Sequence, residues 1–209
     1  MSYYESRKHV EDLALFVNSL KHRYDRTIKD LINAYPYHLL YMVTISPKNP
    51  YTYYSLGFLN DQIGTILNSM QKHLFRTNNL TRPPLYLRPI LILFQDIPGT
   101  KGDGKDARKI LLQTENERYQ NRHFHGILLI PKEKLNNWIA SRYRSYLDLD
   151  FQILPFDPSL GDPENPYGSK AVKVTNWIDE SFGLAHVWHS STRCMMTPEQ
   201  LREHFNLSK

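Results

Sequence analysis

The chain has 209 residues, 41% of them hydrophobic and 12% aromatic, which is enough apolar material for one sizeable core and too much for a disordered chain. Lys and Arg outnumber Asp and Glu by 26 to 21, a net charge of +5 that makes an anionic partner plausible, nucleic acid first, with a merely basic soluble protein as the alternative. The single cysteine, Cys194, excludes an intrachain disulfide framework and a Cys-rich zinc site, and the absence of any run of eighteen apolar residues or signal-like leader predicts a soluble intracellular protein with no membrane partner.

In chain order, residues 7–33 carry Val10, Leu13, Leu15, Phe16, Val17, Leu20, Ile28, Leu31 and Ile32 near a 3.6-residue period, so residues 1–36 are expected to form a helical N-terminal arm. "YHLLYMVTISPKNP" predicts a buried strand from about His38 to Ser46, bounded by Pro36 and Pro47. A helix over about Ser55 to Arg76 follows, with Leu56, Leu59, Ile63, Ile66, Leu67, Met70 and Leu74 on one side, and "NNLTRPP" breaks it. "LYLRPILILFQDI" reads as a second long strand, and "PGTKGDGKDARK" as a charged, glycine-rich loop. Residues 110–130 predict a β-hairpin turning at "NERYQN". A helix over about Lys132 to Tyr146 and the strand "DFQILPF" come next. Asn165-Pro166 looks like a helix start with Gly183 as its stop, and residues 184–209 read as a tail with one short helix from Thr197-Pro198.

"NRHFHGILLIP", residues 121–131, presents histidines at alternate positions. On a strand His123 and His125 project side by side while Phe124 points into apolar packing, forming two corners of a divalent-metal site. A carboxylate third ligand suits a hard ion such as Mg²⁺ or Mn²⁺. Glu115 stands on the expected partner strand opposite His123, with Glu117 as the fallback because hairpin register is not fixed by sequence. The bland alternative is a polar pair on the solvent face of an amphipathic strand.

"HFHGILL" resembles motif II of the HUH endonucleases, the rolling-circle replication initiators and related transposases, and "MVTISPK" at residues 42–48 resembles their motif I. The resemblance spans roughly residues 37–183 and includes the order of strands and helices. It implies an α+β fold with a central, mainly antiparallel sheet in a split β-α-β arrangement flanked by helices, followed by the 184–209 tail. It also implies a metal ion held by His123, His125 and Glu115 over a DNA phosphate, and a tyrosine nucleophile followed three residues later by lysine. Tyr167 and Lys170 of "PYGSK" have that spacing. The phenolate would attack phosphorus, form a 5′-phosphotyrosyl link and release a 3′-hydroxyl, with Lys170 holding phosphate or easing phenol ionisation. A second register puts Trp177 of "NWIDES" in the tyrosine's place, which would give a domain that binds without nicking.

Lys101, Lys105, Arg108 and Lys109 form a basic loop suited to phosphate contacts, with a solvated loop as the alternative. Arg142 and Arg144, interleaved with Tyr143 and Tyr146, have a composition suited to single-stranded nucleic acid, and Thr44 on the motif I strand could lie near the DNA. His186 and His189 in "HVWHSSTR" read more readily as part of a folded-back strand than as a second metal site. There is no Gly-x-x-x-x-Gly-Lys-Ser/Thr loop, so unwinding would fall to a host helicase or another partner. The expectation is a nicking and joining enzyme for single-stranded DNA, acting in rolling-circle replication of a plasmid, phage or virus. The competing readings are a transposase or mobilisation relaxase with the same parts, a non-nicking DNA-binding protein, and a structural protein with an incidental His-x-His.

Overall fold

Strands as continuously apolar as "LLYMVTI", "ILILF" and "ILLI" need cover on both faces, and helices supply it on each side of one sheet. The computed structural model describes residues 3–49, 55–76, 84, 87–96, 123–132, 145–146, 148–155, 184–189 and 193–207. Among these are the helices α1 (Tyr3–Ala34), α2 (Leu56–Phe75) and α3 (Pro198–His204). The strands are β1 (His38–Pro47), β2 (Ile90–Asp96), β3 (His123–Pro131), β4 (Ser145–Tyr146), β5 (Leu149–Pro155), β6 (Ala185–Trp188) and β7 (Arg193–Met196). They form a seven-stranded sheet in the order β4-β5-β1-β3-β2-β6-β7, with each neighbouring pair antiparallel. β1 and β2 therefore run in the same direction, joined through α2, with β3 lying between them.

One face packs on α2. Its Leu59, Ile63, Ile66, Leu67, Met70 and Leu74 are buried against Tyr41, Val43, Ile45, Leu91, Leu93, Phe124, Leu128 and Phe151. Ser55 caps this helix, its hydroxyl accepting from the Phe58 amide at 3.1 Å. The other face packs on α1 and α3. Leu20, Tyr24, Ile28 and Leu31, spaced at one helical stripe, meet Ile90, Ile92, Phe94, Ile127 and Leu129 together with Leu201 and Phe205. Leu15, expected on the apolar face of α1, is 69% exposed.

The C-terminal residues are integral to this arrangement. β6 hydrogen-bonds to β2, and all four of its residues are buried. The Tyr24 hydroxyl donates to the Met196 carbonyl at 2.6 Å and accepts from the Ala185 amide at 3.0 Å. α3 starts at a capping box in which Thr197 and Gln200 exchange side-chain and backbone hydrogen bonds, with proline in the first turn. Arg23 pairs with Glu199 and Arg202 with Asp30, fastening α3 to α1.

Three sequence expectations change. The strand expected from Leu85 begins at Ile90, after Pro89, which has no N–H to give a ladder. Residues 145–146, expected at the end of a helix, instead pair with Asp150 and Leu149 as β4. Finally, β3 has β1 on one edge and β2 on the other, so a hairpin within residues 110–130 does not supply its pairing partner. The helices expected over residues 132–146 and 165–183 otherwise lie outside the described residues.

Candidate metal and nucleic-acid site

On the α1 side of the sheet each central strand changes from apolar to polar at about the same level. On β3 the row runs Leu129, Ile127, His125, His123, and on β1 it runs Leu40, Met42, Thr44, Ser46. On β5, Gln152 stands opposite Thr44 and Asp150 opposite Ser46, both exposed. The apolar half of each row meets the α1 core. The polar half forms a half-buried shelf with His123, His125, Thr44 and Ser46 at its centre. Alternation of side chains along a strand is what places both imidazoles there, while Phe124 goes to the α2 core at 1% exposure.

The two imidazole rings have centroids 4.8 Å apart and planes inclined at 86°. Two imidazoles bound cis to one ion, with metal–nitrogen bonds of about 2.1 Å, have centroids about 4.5–5 Å apart, a spacing with which the observed pair is compatible. Nδ1 of His125 lies 3.0 Å from Oγ1 of Thr44, which faces it across the β1–β3 ladder. In the tautomer protonated at Nδ1, His125 donates to Thr44 and Nε2 keeps its lone pair for a ligand. Gly126 follows at a close backbone approach. A Cβ there would stand 1.9 Å from the Ile92 carbonyl oxygen, so glycine is what lets β2 lie against β3 beside the histidines.

The residue whose backbone stands opposite His123 is Asp96, the last of β2. The sequence expectation put Glu115 opposite His123, and the backbone register puts Asp96 there. No group of three His, Cys, Asp or Glu side chains placed to hold a metal occurs among the described residues. Of the residues singled out by sequence, the structure brings His123, His125 and Thr44 together. Glu115, Glu117, Tyr167, Lys170, Trp177, Lys101, Lys105, Arg108, Lys109, Arg142 and Arg144 lie outside the described residues.

No protein-family model matches the chain, and neither a curated protein nor a solved structure matches it at a significant level. Among the described residues no helix is long and apolar enough to cross a membrane.

Proposed function

We propose that the protein is a metal-dependent enzyme that nicks and rejoins single-stranded DNA, of the HUH type, initiating rolling-circle replication of a plasmid, phage or virus. The observation that carries this reading is the imidazole pair on the central strand with His125 hydrogen-bonded to Thr44 of the motif I strand. The antiparallel sheet with strand order β5-β1-β3-β2, flanked by helices, is compatible with this reading.

In this reading His123 and His125 would hold Mg²⁺ or Mn²⁺, with the carboxylate of Glu115 or Glu117 completing the protein ligands. When bound, the ion polarises the scissile phosphodiester and offsets its developing charge. Thr44 fixes the His125 ring so that Nε2 faces the shelf. Tyr167 attacks phosphorus through its phenolate oxygen, the P–O3′ bond breaks and the 3′-oxygen leaves as a hydroxyl after protonation. The 5′-phosphate remains on Tyr167 with Lys170 beside it, and attack by a 3′-hydroxyl reverses the step to rejoin the strand. Transposition or plasmid mobilisation would use the same chemistry.

The test is a cleavage reaction on pooled single-stranded oligonucleotides with Mn²⁺, read as covalent protein–DNA adducts on a denaturing gel. The expected result is an adduct lost in Tyr167→Phe and in His123→Ala/His125→Ala. An adduct that survives Tyr167→Phe moves the nucleophile to another tyrosine. Binding of metal and DNA without any adduct favours the non-nicking protein implied by the Trp177 register.

A further inference from the structure

A second imidazole pair lies away from the β3 shelf, at the junction of the C-terminal strands and α3. His189 directly follows β6 and is 6% exposed, while His204 is the last residue of α3 and opens to solvent. Nδ1 of His189 stands 3.4 Å from Nε2 of His204. Hydrogen bonds from N–H donors usually measure about 2.7–3.2 Å, so this is a poor one. Two nitrogen ligands of a tetrahedral ion with bonds of about 2.0–2.1 Å stand about 3.3–3.4 Å apart, which is the spacing seen.

The surroundings suit an ion. The Phe205 ring walls the pair, with its centroid 4.9 Å from that of His189 and 4.7 Å from that of His204. The exposed side of His204 leaves room for water to fill the remaining coordination positions. Two imidazoles without a carboxylate select borderline transition ions over Mg²⁺ or Mn²⁺.

We propose that His189 and His204 bind a Zn²⁺-class divalent ion that fastens the end of β6 to the last turn of α3. This site is independent of the nicking reading and differs from the β3 pair in metal preference.

The experiment uses the full chain carrying His123→Ala and His125→Ala, so that the β3 pair does not contribute. Thermal unfolding is followed against Zn²⁺, and visible absorption against Co²⁺ as a spectroscopic substitute. The expected result is a Tm that rises with the logarithm of Zn²⁺ concentration, together with tetrahedral Co²⁺ bands. Adding His204→Gln should weaken both responses at least tenfold, His204→Cys should retain them, and His22→Gln, at an exposed histidine of α1, should leave them unchanged. Because His204 is exposed, the metal-free Tm of His204→Gln checks that the fold persists. The proposal is overturned if the starting chain shows no metal response, if His204→Gln leaves the response intact, or if His22→Gln reduces it equally.

Discussion

At the scale of single residues, Tyr24 ties three elements together through one oxygen. Its hydroxyl bonds to Met196 and Ala185, and its ring packs edge-on against Phe94 at 5.0 Å. Tyr24→Phe strands a buried carbonyl and a buried amide, which should cost about 1–3 kcal/mol in urea unfolding. Burial also raises the Tyr24 pKa well above its ordinary value. A raised folded-state pKa contributes stability that is complete below the unfolded value near 10 and is lost as pH rises beyond it. Wild type should therefore lose stability more steeply than Tyr24→Phe above about pH 10, and equal slopes would remove Tyr24 as the cause. Thr44→Val keeps the shape of the shelf but removes the oxygen beside His125. On the proposed reading, titration calorimetry should show metal affinity about 10–100-fold weaker with Tm nearly unchanged. Gly126→Ala forces a methyl group against the β2 backbone and should destabilise by about 3 kcal/mol, the upper part of the overpacking range.

At the scale of elements, the last residues of the chain are core rather than appendage. Leu201, Phe205 and Leu207 belong to the same apolar cluster as α1 and the β2–β3 face. Leu201→Ala, at 0% exposure, should cost about 2–5 kcal/mol in chemical denaturation, whereas an exposed tail residue would cost almost nothing. Local elements were readable where local chemistry decides them. The proline-bounded run "HLLYMVTIS", the helix expected to start at about Ser55 and Thr197-Pro198 each marked a boundary the structure keeps to within a residue. The histidine pair was equally legible because side-chain alternation is a property of one strand. Partner choice was not. Nothing near residue 123 states that Asp96, 27 positions earlier, will stand opposite it, or that β6 will pair with β2. The two residues of β4 were hidden in a sequence that fits a helix equally well, and pairing with β5 decides their state.

At the scale of the whole molecule, the proposed reading has the basic excess and the polar shelf act together on single-stranded DNA. If Lys101, Lys105, Arg108, Lys109, Arg142 and Arg144 each neutralise one phosphate of a single strand, log affinity should fall against log salt with a slope near about −4. Removing any one of them should flatten that slope by about 0.7. A slope near zero in fluorescence anisotropy would take the basic residues out of the interface.

The fastening of α3 to α1 has a consequence in time. Arg202 meets Asp30, and Tyr24 meets Met196, across 172 positions of chain in each case. Such long-range closure slows folding, because loop entropy is spent before the contact returns it. During synthesis the stripe of Leu20, Tyr24, Ile28 and Leu31 leaves the ribosome well before the residues that complete its cover, and β2 waits as long for β6. Until β6 and α3 have emerged the newborn chain thus carries an uncovered apolar helix and an open strand edge, a natural substrate for chaperones and a point of vulnerability to aggregation.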